Sequence, residues 1–134
     1  MKISRGLRNN NPLNIRRNGT RWKGLAGEQK DEAFFTFTAP CWGYRAAFIT
    51  LANYKRLHGL DTLAEWITRW APPVENDTQN YIAFVAKKSG VAADAPVAAA
   101  DKGVMCAIVA AMSQMENGLP ADAQDVEEGW RLSR

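Results

Sequence analysis

Apolar residues in the middle of the chain recur at helical spacing. After Pro40, the residues Tyr44, Phe48 and Leu51 follow one another at intervals of three or four. This period places them on one face of a helix, and Gly59 supplies a typical helix end. The pattern therefore predicts an amphipathic helix between Pro40 and Gly59.

Further segments with helical spacing each follow a residue whose side chain can cap a helix N-terminus. Thr62 and Glu65 have the spacing of a capping box, and the helix that they open cannot continue through a pair of prolines. The residues that begin and end the predicted helices are Thr62 and Pro72, Asp77 and Gly90, and Asp101 and Gly118, with a last short helix after Asp122.

The N-terminal part of the chain has a different pattern. Residues 1–30 are rich in Asn, Gly and Arg and show no helical period, which is typical of loops and short extended pieces. Residues 34–38, Phe-Phe-Thr-Phe-Thr, have the composition of a short strand. We therefore expect a single domain over residues 1–134, of the α+β class and mainly helical, with a small irregular β lobe.

Composition narrows the functional classes. The chain has 134 residues, of which 46% are hydrophobic and 23% charged, as in ordinary globular domains. No apolar run approaches the roughly 20 residues of a membrane span, so stable membrane insertion is not expected. One His and two Cys, the latter expected to be free thiols, disfavour zinc sites and His-based triads, and we expect neither a metal nor a cofactor.

Charge is distributed unevenly. Residues 1–30 contain eight Lys and Arg and one Glu, a net charge of +7, whereas residues 91–134 have a net charge of −4. A basic segment attracts an anionic partner, such as nucleic acid, lipid head groups or an anionic cell wall. The alternative is that the basic segment neutralises the acidic half within the fold.

Two glutamates have the context of catalytic acids. Glu116 lies at the end of the most apolar helix, where the helix dipole and desolvation both raise a carboxyl pKa and favour the protonated acid. A general acid for a glycosidic oxygen needs this property. Glu75 lies in a polar loop beside Trp70. The alternatives are that Glu116 points to solvent and that Glu75 only favours the N-terminus of the next helix.

Five Trp in a chain of this size indicate a role beyond the core. We assign Trp42, Trp66 and Trp130 to the core, whereas Trp22 lies in a basic, Gly-rich loop. Exposed aromatic rings suit flat ligands with an apolar face, such as sugars or nucleobases. The Asn residues between positions 9 and 14 offer donors and acceptors for hydroxyl and acetamido groups, although Asn also favours turns.

Several of these segments together resemble a family of small phage and prophage proteins, described as virion structural or lysis proteins with a lysozyme-like fold. The similarity runs from Arg5 to about Gly129, and Leu13 stands where the family usually has Gly. The residues that carry it are 5–16 (RGLRNNNPLNIR), 22–24 (WKG), 43–46 (GYRA), 70–78 (WAPPVENDT) and 116–118 (ENG), with Phe37 and Tyr81.

The same segments are similar, in permuted order, to the glucosaminidase branch of the lysozyme superfamily. Residues 11–16, 22–24 and 70–81 resemble segments that in that branch follow the catalytic helix. The helix ending at Glu116 then takes the part of the catalytic helix, placed at the C-terminus. This resemblance implies that Glu116 is the catalytic acid, and a rival assignment gives that role to Glu75.

The resemblance implies an enzyme that cleaves the glycan strands of bacterial peptidoglycan, as a muramidase, glucosaminidase or lytic transglycosylase. The second catalytic group remains open between Glu28, Asp31, Glu32, Glu75 and the substrate's own 6-hydroxyl or acetamido group. The residues expected to bind the glycan are Asn11, Asn14, Trp22, Trp70, Asn76 and Tyr81.

The start of the chain has no apolar signal region, so we expect synthesis in the bacterial cytoplasm and action at the cell wall, or carriage in a virion beside other virion proteins. One alternative is a non-catalytic virion structural or glycan-binding protein with the same fold. A second is a nucleic-acid-binding module that uses the N-terminal arginines and Trp22. We expect no nucleic-acid partner, because no recognised nucleic-acid motif is present.

Overall fold

Six helices organise residues 3–134, the part of the chain that the computed structural model describes. Met1 and Lys2, which belong to the basic segment and to the start examined for a signal region, lie outside the described residues. The prediction of a mainly helical domain is confirmed. The helices are α1 (Arg5–Arg8), α2 (Pro40–His58), α3 (Leu63–Trp70), α4 (Thr78–Ser89), α5 (Lys102–Asn117) and α6 (Ala123–Leu132).

Local capping fixes where most of the helices begin and end. In α3, the Thr62 hydroxyl accepts a hydrogen bond from the Glu65 backbone N–H, and the Glu65 carboxylate accepts one from the Thr62 backbone N–H. Asp side chains cap α4, α5 and α6. Gly59, Gly90 and Gly118 end their helices with φ between 66° and 75°, a conformation that glycine adopts without strain. The predicted helix starts and ends are therefore confirmed.

The core forms where α2 packs on α6 and α4 packs on α5. Trp66 is fully buried in it, and its indole N–H donates to the Leu60 carbonyl at 2.7 Å. Phe48 meets Trp130 edge to face, with ring centroids 5.3 Å apart. The assignment of Trp66 and Trp130 to the core is thus confirmed, whereas Trp42 is half-buried against a smaller cluster.

Residues 9–38 form an irregular lobe without a regular β-ladder. Its described β pairing consists of isolated antiparallel bridges, Arg16 with Phe34 and Leu25 with Phe37. Residues 34–38 therefore form single bridges, at Phe34 and Phe37, in place of the predicted strand. Side chains take the place of ladder partners: the Asn11 amide N–H₂ donates to the carbonyls of Ile15 and Phe35. The four-residue α1 was not predicted, because it is too short to show a period.

Within residues 3–134, no helix combines the length and apolar composition needed to cross a lipid bilayer.

Cys41 and Cys106 are free thiols, as expected, and each is half-buried.

At Gly129, α6 lies close against α2. A Cβ added there would lie 2.5 Å from the Tyr44 Cβ and 3.0 Å from the Arg45 backbone N. At Gly103 in α5, by contrast, a Cβ would meet nothing closer than 3.4 Å. The two positions therefore separate the effect of crowding from the effect of helix propensity.

Gly129→Ala should lower the free energy of unfolding by about 1–3 kcal/mol, because overpacking at a rigid helix contact outweighs the gain in helix propensity. Gly103→Ala should be neutral or stabilising by up to about 1 kcal/mol. Urea unfolding monitored by circular dichroism measures both. Equal effects at the two positions would contradict the described packing of α6 on α2.

Candidate active site

A cleft lies between the irregular lobe and the helical body, and Glu116 lies at its base, on the last turn of α5. The cleft consists of two adjoining cavities of about 230 and 150 Å³, and the smaller one contains Glu116. Asn14, Arg16 and Trp70 line both cavities. The larger cavity is further lined by Ile15, Asn18, Trp22, Thr50 and Tyr54, and the smaller by Leu13, Phe34, Ala71, Pro72, Glu75, Asn76 and Glu116.

Two neutral donors hold the Glu116 carboxyl group. The Asn14 amide donates from Nδ2 to Oε1 at 2.8 Å, and the Tyr81 phenol donates to Oε2 at 2.8 Å. Asn14 belongs to the irregular lobe and Tyr81 to α4, so the carboxyl group joins both parts of the molecule. The two contacts fix its orientation toward the cleft.

The environment favours the protonated form of Glu116. Burial raises its pKa above the ordinary value, and the neutral groups around it, chiefly the hydrogen-bond donors Asn14 and Tyr81, oppose this increase without cancelling it. Burial also raises the pKa of Tyr81 well above its ordinary value. The phenol therefore keeps its proton, and because a hydroxyl both donates and accepts, it can remain bonded to Glu116 in either protonation state.

The backbone of Asn14 takes a left-handed conformation, with φ 53°, which Asn tolerates better than most residues. Its N–H donates to the Asn11 carbonyl at 3.0 Å, so the turn is closed locally. Gly6 lies against this turn, where a Cβ would come within 2.8 Å of the Asn14 Oδ1. Asn14 thus lines the cleft, and its amide N–H₂ is occupied by Glu116.

Asn117 fastens the lobe to the end of α5. Its Nδ2 donates to the Pro12 carbonyl at 2.8 Å, and its Oδ1 accepts from the Ser4 hydroxyl at 2.7 Å. These bonds hold residues 4–14 where Asn14 can bind Glu116. Asn117 belongs to the 116–118 motif, but the sequence alone assigns it no role; the signal for one is an amide side chain directly beside the candidate acid.

Aromatic rings form the walls of the larger cavity. Trp70 is half-buried between the two cavities and meets Tyr54 edge to face, with ring centroids 6.4 Å apart. Trp22 lies on the lobe side of the same cavity. Both residues therefore line the cleft, and their role in binding a ligand stays a prediction.

Glu75 and Asn76 line the smaller cavity from the loop between α3 and α4. Glu75 is exposed and accepts a hydrogen bond from Arg16 at 3.2 Å, across the cleft. Asn76 is also exposed, and its amide donates to the Pro72 carbonyl at 3.1 Å. The two candidate acids, Glu75 and Glu116, therefore share one cavity but have different surroundings.

Two predicted binding residues have other roles. The expectation that Asn11 contacts substrate is corrected, because Asn11 is fully buried and its amide binds backbone groups of Ile15 and Phe35. The same expectation for Tyr81 is corrected, because the residue is 5% exposed and its hydroxyl binds Glu116. Periodicity cannot show which way a polar side chain turns.

The other acidic candidates of the lobe lie outside both cavities. Asp31 binds Arg5 through both carboxylate oxygens at 2.6 and 2.7 Å, and this pairing holds the pKa of Asp31 well below its usual range. Glu28 and Glu32 are exposed on the lobe surface. Among residues 3–134, no group of three His, Cys, Asp or Glu is placed to hold a metal ion.

No protein-family model matches the chain. The chain is 39% identical over 133 residues to Protein P5 of Pseudoalteromonas phage PM2. The similarity covers 96% of this chain and 81% of the phage protein.

Tyr81→Phe should raise the pKa of Glu116 further, because the lost hydrogen bond stabilises the charged carboxylate. Tyr54→Phe, a change of the same kind in the cleft wall, should leave that pKa unchanged. A ¹³C NMR titration of labelled glutamate carboxyls, with Glu116 assigned from Glu116→Gln, measures the shift. An unchanged or lowered pKa in Tyr81→Phe would contradict the described site.

Proposed function

The chain belongs to the family of Protein P5 of Pseudoalteromonas phage PM2, and for this relative of a phage protein we propose cleavage of the glycan strands of bacterial peptidoglycan. The observation that carries the proposal is the Glu116 carboxyl group, partly buried at the base of a cleft and held by two neutral donors. The proposed fold is lysozyme-like, with an irregular lobe and a helical body on either side of the acid.

Glu116 acts first as a general acid in this proposal. Burial raises its pKa and so favours the protonated acid, whose proton passes to the glycosidic oxygen as the bond to the leaving sugar breaks. The carboxylate that remains is stabilised by hydrogen bonds from Asn14 and Tyr81. It then accepts a proton from the attacking group, so that Glu116 regains its starting state.

The cleft walls support a carbohydrate ligand. Trp22 and Trp70 offer ring faces of the kind on which sugar rings stack. Asn76 adds an exposed amide at the smaller cavity, beside the acid. The basic lobe around the cleft favours approach to an anionic cell wall. We accordingly propose that the protein acts at the wall, either released from the cytoplasm or carried in a virion with other virion proteins.

The attacking group defines two routes. In the first, which gives hydrolysis, Glu75 on the facing wall stabilises the positive charge of the sugar ring while Glu116 takes the proton of the attacking water. If Glu75 instead activates the water, Glu75 takes that proton and Glu116 is reprotonated from solvent. In the second, the 6-hydroxyl or acetamido group of the substrate attacks, and Glu75 is dispensable. Fragments ending in a 1,6-anhydro ring identify attack by the 6-hydroxyl.

Glu116→Gln should reduce cleavage of purified peptidoglycan by about 10²–10⁴-fold, the range that general acid–base catalysis contributes. Glu28→Gln makes the same chemical change on the lobe surface and should retain full activity. A zymogram with a turbidity assay gives the rates, circular dichroism verifies folding, and mass spectrometry of the fragments identifies the route.

Glu75→Gln distinguishes the two routes in the same assay. A loss comparable to that of Glu116→Gln assigns Glu75 to catalysis, whereas retained activity with 1,6-anhydro fragments assigns the attack to the substrate. Full activity of folded Glu116→Gln would refute the assignment of the acid. Absence of cleavage by the parent protein across a range of pH would instead favour a non-catalytic glycan-binding protein.

A further inference from the structure

Arg16 occupies the point where the two cavities of the cleft meet. Its side chain is 67% exposed and lines both cavities, the smaller of which contains Glu116. Its guanidinium lies over the Phe34 ring, 5.3 Å from the centroid. A cation held in this position reaches any ligand that runs through the cleft past the acid.

The ion pair of Arg16 with Glu75 is weak enough for another carboxylate to take the place of Glu75. One nitrogen, Nη2, contacts one carboxylate oxygen at 3.2 Å, and both side chains are mostly exposed, at 67% and 60%. Exposed ion pairs of this kind contribute little to the stability of the fold. A carboxylate of a bound ligand could therefore displace the Glu75 carboxylate from Arg16 at a small cost in free energy. Arg5, on the same ring of Phe34, differs because two short bonds fix it to Asp31.

Resting on the proposed function, we propose that Arg16 selects anionic glycan by binding a carboxylate of the muramyl residue in place of Glu75. The carboxylate belongs either to the lactyl group of the sugar or to the peptide attached to it. A guanidinium offers several N–H donors in a planar fork, which matches a carboxylate in two-bond geometry. The exchange also releases the Glu75 carboxylate on the wall of the cavity that holds Glu116.

Binding to an inactive protein tests this selection separately from turnover. In the Glu116→Gln background, three tetrasaccharides of equal length are compared by NMR titration. They are neutral chitotetraose, the alternating N-acetylglucosamine and N-acetylmuramic acid tetrasaccharide with free lactyl groups, and the same tetrasaccharide carrying a dipeptide.

Arg16→Gln should weaken binding of the charged tetrasaccharides about tenfold and change binding of chitotetraose less than twofold. Arg21→Gln removes the same charge from the same lobe outside both cavities, and should leave all three affinities within twofold. Glu75→Gln removes the competing carboxylate and should tighten binding of the charged ligands severalfold. An effect with free lactyl groups identifies the lactyl carboxylate, and an effect confined to the dipeptide form identifies the peptide.

Equal weakening of all three ligands by Arg16→Gln would show that Arg16 only shapes the cleft, which overturns the proposal and leaves the proposed function intact. Equal effects of Arg16→Gln and Arg21→Gln would show general attraction to the basic lobe and also overturn it. Failure of the Glu116→Gln protein to bind any of the saccharides would count against the proposed function itself.

Discussion

The last turn of α5 binds the N-terminal lobe through two adjacent side chains, and the cleft depends on this attachment. Asn117 holds the backbone at Pro12 and the hydroxyl of Ser4, and Glu116 binds the amide of Asn14. A carboxyl group at such a junction loses solvent, so it must either be protonated or accept hydrogen bonds. Here two neutral donors orient the group, and burial raises its pKa, which favours the protonated form.

Two arginines of the basic N-terminal segment form ion pairs in different settings. Arg5 of α1 pairs with Asp31 of the irregular lobe, and Arg16 pairs with Glu75 at the cleft. Among the described residues, the ion pairs that involve the acidic C-terminal part join Lys102 to Glu127 and Arg131 to Glu128. In the described part of the chain, ion pairing between the basic N-terminal segment and the acidic C-terminal part is thus not observed.

Helix positions were predictable from the sequence because capping is local. The reciprocal bonds of Thr62 and Glu65 and the left-handed Gly59, Gly90 and Gly118 depend on residues only a few positions apart. The lobe was less predictable, because the Asn11 amide satisfies backbone groups that a strand would otherwise pair. Aromatic and β-branched composition alone does not show that a side-chain amide takes the place of a neighbouring strand.

The candidate site was predictable in part. The apolar helix before Glu116 indicated a partly desolvated carboxyl group, and the basic, Gly-rich loop around Trp22 indicated an aromatic ring outside the main helical core, where it lines the cleft. The inward orientation of Tyr81 and the contact between Asn14 and Glu116 were not predictable, since they join residues 35 and 102 positions apart. Long-range contacts of this kind leave no period in the sequence.

In the proposed function, Glu116 supplies the proton for cleavage of a glycosidic bond. The pH dependence of kcat/KM on soluble glycan strands, measured for the parent protein and for Tyr81→Phe, tests this claim most directly. With Glu116 as the acid, activity should fall as pH rises through its raised pKa, and this decline should move to higher pH in Tyr81→Phe. A decline that stays at the same pH in both proteins would contradict it.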